Sequence, residues 1–192
     1  KRIIGRIEVK TQVPSDLYHN RITMLTQICY ELYDADEYRD FVRHVVKQFR
    51  GSPEYSMWLN SFNRNECAAT GLTRDADGVP IEVHHFRITL WGWVEYIIDK
   101  FYQENLPLNS FYICLILTDI HFNRCIPCVP LTHCIHKMLH ENYDDTLAKY
   151  PEILENVWQG DTARADELID YHIQNYKKQL TLEEELINGK AG

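Results

Sequence analysis

Two pairs of histidines constrain this 192-residue chain more than any other feature of its sequence. His84 and His85 are neighbours in the segment PIEVHHFR, which is typical of a strand. Adjacent strand residues point to opposite faces, so these two imidazoles cannot share one task. His136 and His140 lie four residues apart in a predicted helix that begins after Thr132, so they share a face. Packing the strand against the helix can bring three imidazoles to one metal ion and leave the fourth beside it.

The composition excludes several classes of protein. Apolar residues make up 45% of the chain, charged residues 25% and aromatic residues 12%, which excludes disordered, collagen-like and coiled-coil proteins. The longest apolar run, at residues 111–118, is too short to span a bilayer. No secretory leader opens the sequence. We therefore expect a soluble, cytoplasmic globular protein with no membrane partner.

Helix caps and apolar periodicity predict a mainly helical α+β fold with an extended segment at the start. Residues 2–13, 80–87 and 126–131 are expected to be extended, the last because it contains two prolines. The run at 111–118 predicts a strand by its length, although its periodicity also permits a helix. Helices are predicted from Ser15 or Asp16 to residue 33, and then at residues 34–50, 52–63, 89–104, 132–140 and 162–178.

The segments VHHF (83–86) and VPLTHCIHKMLH (129–140) resemble the two ends of the HNH endonuclease motif, the ββα-metal fold. In that family a hairpin carries a histidine pair, and the following helix carries the last metal ligands. The H-x3-H ending is similar to that of the DNase-type colicins. The residues around it are similar to HNH-related proteins encoded by bacteriophages.

This resemblance implies a role for each histidine. His84, His136 and His140 would bind a divalent metal ion, which could be Mg²⁺, Mn²⁺, Ni²⁺ or Zn²⁺. His85 would be the general base that activates water to hydrolyse a DNA phosphodiester. Arg87, two residues further on, would share the strand face of His85 and contact the phosphate.

Lys137 and Arg124 are less direct candidates for a phosphate contact. The sequence also departs from the HNH pattern. Pro127 occupies the position where the family usually has an Asn that braces the loop between the strands, and Asn123 is the nearest polar substitute. The interval between the histidine pairs is longer than usual. It requires an insertion at residues 88–118.

We expect three regions along the chain. Residues 1–63 form an N-terminal strand and helical region, and residues 143–192 form an acidic helical region. Residues 64–142 form the HNH-like core that contains the insertion.

The six cysteines offer an alternative metal site. Cys125 and Cys128 form a CxxC pair that could bind zinc together with Cys134 and His133. Many HNH domains also carry a structural zinc on two CxxC pairs, and only Cys67 matches one of those four positions. Without a secretory leader, we expect all six thiols to be reduced.

The formal net charge of −8 argues against loose coating of nucleic acid but permits a small basic groove. Acidic side chains are concentrated in residues 141–192 and could bind a protein partner. Three hypotheses follow. The histidine spacing favours a metal-dependent, HNH-like endonuclease that cleaves DNA, is encoded by a phage and acts in the host cytoplasm or the virion. The alternatives are a catalytically inactive, HNH-derived binding or structural phage protein and a zinc-binding interaction module.

Overall fold

The computed structural model describes residues 29, 30, 32, 34–62 and 64–189, with side chains as far as residue 185. The predicted strand at residues 2–13 and nearly all of the predicted helix that follows it lie outside the described residues. The described part is mainly helical with a small antiparallel sheet, which confirms the α+β class. None of its helices is both long and apolar enough to cross a bilayer.

Nine helices and two strands succeed one another along the described residues. They are α1 (Ala35–Arg50), α2 (Pro53–Asn60), α3 (Arg74–Asp77), β1 (Ile81–His85), α4 (Leu90–Gln103), α5 (Ser110–Phe122), β2 (Cys128–Thr132), α6 (His133–Glu141), α7 (Tyr143–Lys149), α8 (Glu152–Glu155) and α9 (Thr162–Gly189).

Side-chain caps determine where several helices begin. Asp34 accepts hydrogen bonds from the first turn of α1, and Ser52 accepts one from the backbone of α2, whose first residue is a proline. Thr89 caps α4 in the same way. These side chains satisfy amides that a helix leaves without an internal partner. The predictions that helices begin near residues 34, 52 and 89 are confirmed.

The prediction of a strand at residues 111–118 is wrong, because this run forms the middle of α5. The helix packs against α1, α2, α4 and α9. A helix with neighbours on several sides carries apolar residues around most of its circumference, and its sequence then lacks the polar stripe that marks a surface helix. Tyr112, Ile113, Ile116 and Leu117 are buried, whereas Phe111 and Leu115 are exposed, so the apolar run marks a helix that is buried on part of its surface.

The two strands pair in antiparallel register, with Ile81 opposite Thr132 and His85 opposite Cys128. Helices α4 and α5 lie between them in the sequence, and the insertion at residues 88–118 remains a prediction. Helix α6 begins directly after β2 and packs against both strands. The described chain thus has two paired strands followed by a helix, and this order alone does not establish a ββα-metal motif. The metal itself remains a proposal.

Two hydrophobic clusters lie on either side of this sheet. The larger cluster joins α1, α2, α4, α5 and α9 and includes Trp58, Phe49 and Ile120. The smaller cluster joins the strands to α6 and α8 and includes Ile135 and Leu139. Because β1 lies between the two clusters, its two faces meet different surroundings.

Candidate metal centre

Strand β1 and helix α6 bring three imidazoles together. His84 lies near the end of β1, while His136 and His140 lie one helical turn apart on α6. One ring nitrogen from each residue can be chosen so that all three lie within 4.8 Å of one another. The structure therefore brings the three predicted ligands into one cluster.

One pair of nitrogens in the cluster has nearly the separation found at a metal site. Nε2 of His136 lies 3.0 Å from Nε2 of His140, whereas two nitrogens on one tetrahedral zinc ion are about 3.3 Å apart. The ring of His84 faces both others edge-on, with centroids 4.9 Å from His136 and 5.0 Å from His140. A cation between the rings would require the three ligand nitrogens, which lie within 4.8 Å of one another, to approach to about 3.3 Å.

A carboxylate that sequence reasoning did not single out lies behind this cluster. Glu82 accepts a short hydrogen bond from Nδ1 of His136 through Oε2, and its Oε1 lies 3.0 Å from Nδ1 of His133. The sequence does contain a signal for this contact, because residues two apart on a strand share a face. Glu82 and His84 have that spacing.

The surroundings of His84 and His140 favour the neutral form of these two side chains. Burial, followed by the neighbouring His136 and His140, lowers the pKa of His84 to about 4. Burial also lowers the pKa of His140, with the neighbouring His136 and the positive Arg50 acting in the same direction. Neutral imidazole is the form that binds a metal, so His84 and His140 are available as ligands near neutral pH.

The donor set fits some metals better than others. Three imidazoles suit zinc, nickel, copper or iron, whereas Mg²⁺ prefers oxygen ligands. Among the described residues no fourth histidine, cysteine or acidic side chain joins the group. Three protein ligands leave one tetrahedral position for water or for another ligand.

His85 faces the opposite side of β1 and is buried. Only 6% of the residue is exposed, and its ring stacks on Trp58 with centroids 5.6 Å apart. Its Nε2 lies 3.0 Å from Nε2 of His121. Burial, followed by the neighbouring His121 and Arg50, lowers the pKa of His85 well below that of a free histidine.

The hydrogen bonds of His121 determine which nitrogen carries the proton. Nδ1 of His121 donates to the backbone oxygen of Leu117 on α5, so Nε2 of His121 is left as an acceptor. Nε2 of His85 must then be the donor in the contact between the two rings. The predictions did not include His121, because its position at the end of an apolar run gave no sign of a partner.

The predicted phosphate-binding cations lie outside the histidine cluster. Strand β1 ends at His85, and Arg87 follows it in a left-handed turn with a φ of 67°. Arg87 lines a separate cleft with Ile88, Leu154 and Gly160. It therefore does not share a strand face with His85.

The two looser candidates interact with other groups. Lys137 lies 3.6 Å from the carboxylate of Glu141 on the exposed side of α6. The guanidinium of Arg124 lies over the ring of Trp158, 5.0 Å from its centroid. Neither contact directs a cation toward the three histidines.

Pro127 occupies the position of the usual HNH asparagine, and its backbone rather than a side chain connects the two strands. The carbonyl oxygen of Pro127 accepts a hydrogen bond of 2.8 Å from the amide of Phe86, which holds the end of β1 beside the start of β2. The side chain of Asn123 instead donates to Asp119 at the end of α5.

The cysteines form no second metal cluster within the described residues. Cys125 and Cys128 are buried, whereas Cys134 is exposed. Burial raises the pKa of Cys125 to about 11 and that of Cys128 to about 12, which disfavours the thiolate that a metal requires. The alternative zinc site at Cys125 and Cys128 is not assembled here.

One family of known proteins matches almost the whole chain. The model of the Bacteriophage G278-like virion protein family matches residues 6–185. No curated protein and no solved structure matches the chain significantly. The family match confirms the bacteriophage origin expected from the sequence and gives no support to membership of the HNH endonuclease family.

Burial of His121 is expected to make the fold less stable in mild acid. Burial lowers the pKa of His121 to about 3, while the pKa of an unfolded histidine is about 6.5. The unfolded chain binds more protons between these values, so stability present above pH 6.5 is lost as the pH falls. We expect His121 to remove about 1.4 kcal/mol from the free energy of unfolding between pH 7.5 and 5.5.

Denaturant titrations at these two pH values measure the effect in the wild type and in His121→Gln. The variant is expected to be less stable at pH 7.5 but to lose less stability on acidification. An equal loss in both proteins would contradict the assignment of this pH dependence to His121.

Proposed function

The chain belongs to the Bacteriophage G278-like virion protein family, and we propose that it is a non-catalytic structural or binding protein of the phage particle. In this proposal the unit made of β1, β2 and α6 holds one divalent transition-metal ion. The ion joins the strand to the helix that packs on it.

His84, His136 and His140 are the ligands in this proposal. Their convergence and the neutral form of His84 support it. When bound, the metal supplies a link between β1 and α6 that adds its binding free energy to the stability of the fold. The all-imidazole donor set favours Zn²⁺ or Ni²⁺ over Mg²⁺ and Mn²⁺.

The burial of His85 is the observation that supports a non-catalytic role. A general base must reach the proton that it removes, either directly or through one water molecule. His85 instead stacks on Trp58, and its Nε2 donates to His121. A base in this position is separated from the solvent that would supply the attacking water.

Metal-dependent hydrolysis of DNA is the second candidate function. It is favoured by the number of ligands, because catalytic metal sites keep an open position beside three protein ligands. The positive charge of Arg50, whose field reaches His85 and His140, would also attract a phosphate. In this alternative His85 would have to leave its contact with His121 to accept a proton.

Binding of a protein partner through the acidic C-terminal region remains a prediction. Some carboxylates of α9 already interact with other side chains of the same chain. Asp170 pairs with Lys100 at 2.9 Å, and Asp166 accepts a short hydrogen bond from Tyr96. A partner would therefore have to use the remaining carboxylates of this region.

The chain is expected in purified particles of the phage that encodes it. Mass spectrometry of particles separated on a density gradient should detect it at a fixed ratio to the capsid proteins. Its presence in infected cells but not in particles would contradict a structural role in the virion.

Metal binding is expected to stabilise the protein. A cation at a hundredfold excess over its Kd adds about 2.7 kcal/mol to the free energy of unfolding, which raises Tm by about 5–10 °C in a chain of this size. Chelator-treated protein should show this rise with one equivalent of Zn²⁺ or Ni²⁺ bound, and His140→Ala should lose it.

His133→Ala provides the matched control, because His133 is exposed on the same helix and is not one of the three ligands. It should keep most of the rise. A wild-type Tm that does not respond to either metal would exclude the proposed centre.

Plasmid DNA is expected to remain uncut. The wild type, His85→Ala and His140→Ala should give the same background of nicking with Mg²⁺, Mn²⁺, Ni²⁺ or Zn²⁺, because His85 is not accessible to water. Circular dichroism must show that each protein is folded. Cleavage by the wild type that both substitutions abolish would replace the structural proposal with the nuclease.

A further inference from the structure

Both carboxylate oxygens of Glu82 accept hydrogen bonds from side chains on helix α6. Oε2 is hydrogen bonded to Nδ1 of His136 and Oε1 to Nδ1 of His133, three residues apart on the helix. The side chain is about two-fifths exposed and makes no other described ion pair. Glu82 is not one of the three candidate ligands.

The contact with Glu82 determines the proton position on His136. An ionised carboxylate can only accept, so Nδ1 of His136 must carry the hydrogen. A glutamate carboxylate is ionised near neutral pH, because its ordinary pKa is about 4.3. Nε2 of His136 is then left with a free lone pair, directed toward Nε2 of His140.

This arrangement also determines the tautomer of His140 before any metal binds. Because Nε2 of His136 has no proton, Nε2 of His140 must donate in the 3.0 Å contact between them. Replacing that hydrogen with a cation requires only that the proton of His140 moves to Nδ1. The ring of His136 needs no change.

We propose that Glu82 is the positioning residue of the three-histidine centre: it orients His136 and makes its Nε2 a stronger ligand. This inference rests on the metal centre proposed above. A carboxylate behind a ligating histidine fixes its tautomer and raises its basicity, and the loss of such a partner typically weakens metal binding about 10- to 100-fold.

Metal affinity and the proton position on His136 test this role in the full-length protein. Zn²⁺ affinity is measured by competition with a coloured chelator for the wild type, Glu82→Ala and Glu82→Gln. Glu82→Ala should bind one Zn²⁺ about 10- to 100-fold more weakly. Glu82→Gln should recover part of the loss, since its amide oxygen can still accept from Nδ1 of His136.

The proton position is read by ¹⁵N NMR of the metal-free protein. The wild type should show His136 protonated at Nδ1, and Glu82→Ala should shift the proton toward Nε2. A structural role of Glu82 alone would not produce this shift. His133→Ala is the control, because it removes the other partner of Glu82 without removing a proposed ligand, and it should weaken Zn²⁺ binding much less than Glu82→Ala.

The outcomes separate the two proposals. If the wild type binds Zn²⁺ and Glu82→Ala binds it equally well, Glu82 has no positioning role and the metal centre stands. If His136 has the same tautomer in both proteins, the role is also excluded. If the wild type binds no metal, the proposed centre fails and the positioning role fails with it.

Discussion

The pairing of β1 with β2 is the interaction on which the candidate centre depends. Residues 86–127 separate the paired strands, so His84 and helix α6 meet only because the ladder closes this long segment. The entropy cost of closure grows slowly with length. The closed segment is not a free loop, because it contains helices α4 and α5. The buried apolar residues of this segment make up most of the larger hydrophobic cluster.

The alternation of β1 gives two neighbouring histidines opposite surroundings. His84 faces α6 and the half-exposed cluster, while His85 faces the larger core and contacts His121 on α5. A buried imidazole remains acceptable there because His121 satisfies its Nε2. The same contact connects the sheet to helix α5. His85 therefore has a structural contact at the position where the HNH resemblance would place a general base.

The sequence contained enough information for the ends of several helices and for the convergence of three histidines. Asp34, Ser52 and Thr89 act locally, through hydrogen bonds to the next turn of chain, and local signals can be read directly. The helical state of residues 111–118 and the burial of His85 depend on partners far away in the sequence. Nothing near His85 reveals that Trp58 and His121 cover it, so its environment could not be predicted.

The register of the sheet makes the structural and hydrolytic roles difficult to combine. A slip of one residue would turn His85 outward, but it would also turn His84 away from His136 and His140. Rotation of the His85 side chain alone does not expose it, because Trp58 and His121 belong to helices packed on that face. Hydrolysis at this centre would therefore require α2 or α5 to move away from β1. The proposed metal link between His84 and α6 would require no such change, and it would strengthen the smaller hydrophobic cluster, where a two-stranded sheet alone is only marginally stable.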